Sequence, residues 1–216
     1  SSVPDTTSKI KFNENSEFDT NGIQFIINPY DEFGLTKAVK IKETIGGTIT
    51  VITVGDTTSE PVIRKALAIG ADKAVRININ PKDSFETASL ISEYVKEMEY
   101  DIIIAGRESI DYNGSAVPCM IAEMLDIPFI NACIGLNLND NTADLVREVD
   151  GGKELISSPL PLIIGGQKGL VEESNFELIE EAVPELNDGK ILIQTEYLSV
   201  DPTQRMWLKD IPGYLP

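Results

Sequence analysis

The 216 residues carry 18 Lys and Arg against 35 Asp and Glu, a formal charge of −17, and no histidine. That balance sets aside a nucleic-acid surface, which needs a basic stripe to neutralise phosphates, and removes the commonest general base and metal ligand from any mechanism. No apolar run approaches the ~18 residues of a membrane span, and no signal peptide opens the chain, so no membrane insertion and a cytoplasmic or organelle-matrix location are expected. With 42% hydrophobic residues, the length suits one sizeable α/β domain with an appendage. Cys119 and Cys133 form no C-x-x-C and read as free thiols.

From residue 24 onward, short β-branched runs alternate with helix-length amphipathic segments. QFII (24–27) leads to a helix near 31–45, TITVITV (48–54) to one near 58–69, KAVRI (73–77) to one near 83–98, and DIIIA (101–105) to one near 114–125. Apolar runs separated by helices predict a parallel sheet with right-handed crossovers, hence an α/β, Rossmann-like, doubly wound layer. PFINACIGL (128–136) follows. LVREVDGGKELI (145–156) and PLPLIIGG (159–166) then read as an antiparallel hairpin appended to the sheet. After Glu172 the texture changes to alternating strands joined through Pro184 and an Asn-Asp-Gly turn, a β-rich tail.

In an open parallel sheet, ligands collect beyond the carboxyl ends of the strands. Three turns leave such ends: Asn28-Pro29-Tyr30-Asp31, Gly55 to Ser59, and Gly106 to Ser115. If they converge, they frame one cleft. Asn28 is held extended by Pro29, and Asp31 is placed to cap the next helix. Gly106 allows close backbone approach, Asn113-Gly114 can adopt positive φ, and Ser115 can cap a helix whose free N–H groups favour an anion. Arg107, Glu108 and Asp111 would form a charged lip. An ordinary βα turn with a serine cap reads equally well. Neither G-x-x-x-x-G-K-S/T nor G-x-G-x-x-G is present, so ATP hydrolysis and standard dinucleotide binding have no support.

VPDTTSKI (3–10), INPYDEFGLTKAVKIKE (27–43), VGDTTSEPVIRKALAIGADKAVRI (54–77), YDIIIAGRESIDYNGSAVP (100–118) and REVDGGKELISSPLPLII (147–164) together resemble the electron transfer flavoprotein β subunit. The resemblance covers residues 1 to about 172. It implies a subunit that buries AMP, or in some members a second FAD, and forms a heterodimer with a FAD-carrying α subunit. The pair passes electrons from donor dehydrogenases to a quinone-linked acceptor. Carried over by position, the nucleotide-binding residues are Asn28, Pro29, Tyr30, Asp31, Val54, Gly106, Arg107, Glu108, Ser109, Ile110, Asp111, Asn113, Gly114, Ser115, Ala116 and Val117. Thr6 falls near the flavin. No residue is implied as catalytic and none as a metal ligand. The family opens with a strand of which only Ser1 and Ser2 remain here, and Ala116 stands where many relatives have glutamine.

The tail departs from that pattern. FELIEEAVPELNDGKILIQTEYLSVDPTQRMWL (176–208) resembles the GroES-like opening of medium-chain NADPH-dependent alkenal and quinone reductases, without the nucleotide domain of those enzymes. A joined or chimeric chain is expected, with a flavoprotein-like domain over 1–172 and a β-rich tail over 173–216. Two other functions stay open: a stand-alone adenine-nucleotide-binding module and, on the tail alone, a fragment of an NADPH-dependent reductase.

Overall fold

The computed structural model describes residues 1–16 and 18–171; the tail expected over 173–216 lies outside the described residues. Strand β1 (Ser2–Pro4) pairs antiparallel with β2 (Phe25–Ile27). The chain then alternates as the apolar pattern predicts. Helix α1 (Pro29–Ile45) precedes β3 (Thr50–Val54), a 3-10 turn (Thr57–Ser59) leads into α2 (Glu60–Ile69), and β4 (Lys73–Ile77) is followed by α3 (Ser84–Val95). Next come β5 (Ile102–Gly106), α4 (Ala116–Leu125), β6 (Phe129–Leu138), β7 (Thr142–Val149), β8 (Gly152–Pro159) and β9 (Leu162–Gly166). Helices α1, α2 and α4 stop at residues that tolerate positive φ: Gly46 at 85°, Gly70 at 142° and Asp126 at 54°.

The sheet departs from the expected arrangement in two ways. It is a mixed sheet with the order β5-β9-β6-β7-β8, while β3 and β4 form a separate parallel pair. No single doubly wound parallel layer joins these strands among the described residues. The second departure concerns PLPLIIGG. The antiparallel hairpin is β7 with β8, turning at Asp150-Gly151, whereas β9 runs parallel to β5 on one side and to β6 on the other.

The physical reason lies in its composition. Leu162, Ile163 and Ile164 are fully buried, and a strand that is apolar on both faces belongs in the middle of a sheet, where alternate residues meet different layers. Leu162 and Ile164 pack with Ile130, Leu136 and Leu145, and Ile163 packs with Ala88, Ile121 and Ala122 beneath α3 and α4. This insertion carries the carboxyl end of β9 alongside that of β5, with Gly106 opposite Gly166.

Candidate functional site

Two of the three expected turns meet. Asn28 is buried, and its side chain crosses to the turn after β5: Nδ2 donates to the Glu108 carbonyl at 2.8 Å, and Oδ1 accepts the Ile110 N–H at 3.2 Å. The Gly106 N–H donates to Asp31 Oδ1 at 2.8 Å, and the other carboxylate oxygen takes the Ser1 hydroxyl at 2.8 Å and pairs with the Ser1 ammonium. Burial pushes the Asp31 carboxyl up, but the Ser1 ammonium and these hydrogen bonds outweigh it and hold the group below the ordinary carboxylate range.

Asp31 is therefore not the helix cap that was expected. Pro29 supplies the first helical position, so α1 begins at Pro29 with Asn28 as its N-cap residue, and Asp31 falls in the first turn. Asn28 spends its side chain on the neighbouring turn and makes no capping bond. Ser115 stands at the N-cap of α4 but does not cap it either. Its ψ of 12° is far from the extended geometry of a capping serine, and Pro118 removes one of the N–H groups a cap would accept. Both helices that open on these turns thus keep first-turn N–H groups that no cap side chain occupies. By contrast, Asp83 caps α3 by accepting the Glu86 N–H at 2.8 Å.

The glycines are used differently from the expectation. A Cβ on Gly106 would stand 2.7 Å from Tyr30 Cβ and 2.8 Å from the Asp31 nitrogen, so its bareness seats the start of α1 on the strand end. Asn113 has φ of 55°, while Gly114 has no positive φ and lies under the Tyr112 ring. The turn closes on itself through Ser109, whose N–H reaches the Gly114 carbonyl at 2.8 Å and whose hydroxyl reaches Asp111 at 2.5 Å. Ala116 and Val117 begin α4, and Val117 packs against the Ile121 and Ile163 cluster.

The third turn stands apart. Asp56 accepts both the Thr58 N–H, at 2.8 Å, and the Thr58 hydroxyl, at 2.6 Å, and the Gly55 carbonyl takes Arg76 from β4. Val54 pairs with Ile77 at the end of β3. Thr6 is exposed in the turn after β1, beside the bonds from Thr7 to Asp5.

A cleft of about 410 Å³ opens where β5 and β9 end, within the roughly 300–1,000 Å³ of small-molecule sites. Arg107, Glu108 and Ser115 line it from the β5 turn, Glu148 and Asp150 from the β7–β8 hairpin, and Asn131, Ala132 and Gln167 complete it. The last three were missed in the sequence because PFINACIGL was read only as a further apolar run and PLPLIIGG as one arm of an appended hairpin. The signal was present in GGQ at the end of a wholly apolar run. Here β6 bulges between Ile130 and Cys133, with Ala132 at φ 53°, a left-handed conformation rare for alanine. Asn131 Oδ1 is buried without a hydrogen-bond partner and lies 2.1 Å from where a Gly165 Cβ would be. Arg107 is the one cation among the described lining residues, and its guanidinium lies 5.8 Å from the Tyr30 ring centroid. A larger groove of about 740 Å³ between Leu136, Leu145 and Leu155 contains none of the expected site residues, and lies away from the strand ends where the turns converge.

Residues 16–188 match the model of the electron transfer flavoprotein domain, and residues 164–216 match that of an N-terminal domain of oxidoreductase, in keeping with the resemblance of the tail. The chain is 40% identical to the electron transfer flavoprotein subunit beta of Bacillus subtilis over 172 residues, 78% of this chain and 66% of the relative. It is 34% identical to that of Thermoanaerobacterium thermosaccharolyticum, covering 69% of this chain and 58% of the relative. It is 30% identical to the acryloyl-CoA reductase electron transfer subunit gamma of Anaerotignum propionicum, covering 75% and 63%. The chain thus spans about three fifths to two thirds of these relatives. With most of its length matched by one family model and its first relatives bearing one name, the chain belongs to the electron transfer flavoprotein family.

Proposed function

We propose that this chain is the β subunit of an electron carrier and holds an adenine nucleotide, AMP or a second FAD, at the joined turns Asn28–Asp31 and Gly106–Val117. It pairs with a FAD-carrying α subunit, takes electrons from dehydrogenases and passes them to a quinone-linked acceptor. The observation that carries this reading is the stapling of the two turns by Asn28 beside two helix starts without cap side chains. Such starts favour a phosphate through their N–H groups and dipole. Arg107 and Ser115 flank the same cleft. The carboxylates of Glu148 and Asp150 on its far wall are acceptors suited to ribose hydroxyls or an amino group, so the phosphate belongs on the Arg107 side. The flavin, when bound, supplies the redox chemistry; this chain's residues bind and orient. Among the described residues no helix is long and apolar enough to cross a membrane, and the working location is cytoplasm or organelle matrix.

The test is to purify the chain with and without a co-expressed α subunit, denature it, and identify the released nucleotide by chromatography and mass spectrometry. Stoichiometric AMP or FAD with the α subunit supports the carrier reading. AMP or ATP retained without any α subunit supports the stand-alone module instead, and NADPH or an empty protein contradicts both.

A further inference from the structure

A line of polar side chains crosses the cleft from β5 to β7. The Arg107 guanidinium donates from Nη1 to Gln167 Oε1 at 2.5 Å, and the Gln167 amide NH2 donates to Glu148 Oε2. Gln167 is only 7% exposed, and its backbone N–H is bonded to the Cys133 carbonyl at 3.0 Å. The amide has no freedom in which end faces which neighbour. A carboxylate only accepts and a guanidinium only donates, so Glu148 takes the NH2 and the carbonyl oxygen must face Arg107. On its other sides Arg107 meets Glu108 at 3.3 Å and the Tyr30 ring. Its own N–H is tied to the Gly166 carbonyl at 2.9 Å. A long, rotamer-rich side chain is thus held in one place before any ligand arrives.

We propose that Gln167 is a positioning residue for nucleotide binding: with its orientation locked by Glu148, it fixes the Arg107 guanidinium at the cleft so that the phosphate meets a preordered cation. This rests on the nucleotide-binding reading above. Preordering spares the ligand the entropic cost of immobilising the arginine, and the bond that does it is charge-assisted, stronger than a neutral one.

The test measures AMP affinity by calorimetry on the chain co-purified with its α subunit, for Gln167→Met, Arg107→Met, the double variant, and the exchange Gln167→Glu with Glu148→Gln. Loss of the preordered cation weakens AMP by about tenfold in Gln167→Met. Because Gln167 acts through Arg107, Gln167→Met adds no further loss when Arg107→Met is already present. The exchange pair rebuilds the line with the same net charge: the carboxylate of Q167E accepts from Arg107 and from the E148Q amide. Its affinity should return to within about twofold of the unsubstituted protein, the tolerance expected for such cycles. Rescue by the exchange is a readout that loss of packing would not restore. Additive losses from Gln167→Met and Arg107→Met, or no rescue in a folded exchange variant, would overturn the positioning role while leaving nucleotide binding intact. Failure of the unsubstituted pair to bind AMP or FAD would overturn the binding reading and this inference with it.

Discussion

The turns after β3 and β5 each leave the carboxyl end of a strand in a parallel pair, yet they meet their polar needs differently. The Gly55–Ser59 turn is largely self-contained: Asp56 takes both donors of Thr58, the one outside side chain is Arg76 of the adjacent β4 on the Gly55 carbonyl, and Ser59 sits beneath Gly55, where an added Cβ would lie 2.5 Å from its hydroxyl. The Gly106–Ser115 turn, besides the bonds Ser109 makes within it, is held from outside, by Asn28 and Asp31 at the start of α1 and by Gln167 just after β9. A turn that satisfies itself has few groups left over for a ligand. One that is braced by its neighbours leaves Arg107 and Ser115 on the wall of a cleft.

The comparison is tested hardest at Gly106. Gly106→Ala places a methyl against the Tyr30 Cβ and the Asp31 nitrogen, which cannot yield unless the helix start moves, and should cost about 3 kcal/mol in chemical denaturation through the displacement of α1. A cost under about 1 kcal/mol would mean that α1 does not rest on the strand end. Asn28→Ala removes both braces and leaves the Glu108 carbonyl and the Ile110 N–H unpaired, at a cost of about 2 kcal/mol, and AMP affinity should fall with it. In the self-contained turn, Asp56→Ala should cost about 1 kcal/mol, as loss of a cap does, with AMP affinity unchanged. A large loss of AMP binding there would erase the distinction between the two turns.

The smallest expected effect is on pH dependence. The folded state holds Asp31 below its unfolded value, so its contribution is full above the ordinary aspartate range near pH 4 and is lost as pH falls through the lower folded value. Asp31→Asn should therefore flatten the acid side of the stability curve. An unchanged acid limb would show that the contacts of Asp31 with Ser1 and Gly106 do not persist in solution.

The alternation of strands and helices was legible because its signals are local. TVITV and KAVRI carry β-branched runs, and glycine marks the ends of α1 and α2. The turn after β5 was marked as a candidate by its glycine and serine, although Gly106 seats the start of α1 and Ser115 does not cap α4. What local signals could not carry was the place of β9. PLPLIIGG follows a Gly-Gly hairpin turn and alternates poorly, and only the burial of Leu162, Ile163 and Ile164 together shows that it enters the middle of the sheet. That misplacement concealed Gln167 and Asn131 and hence one wall of the cleft. Similarly, Asp31 resembles a cap in sequence, but a proline two residues earlier moves the helix start.

The most direct measurement is hydrogen exchange of the chain, co-purified with its α subunit and stripped of nucleotide, followed residue by residue with and without added AMP. The account predicts slowed exchange at the starts of α1 and α4 and across Gly106–Ser115, with Gly55–Ser59 unchanged. Protection confined to the Gly55–Ser59 turn, or none at either helix start while AMP is bound, would contradict it.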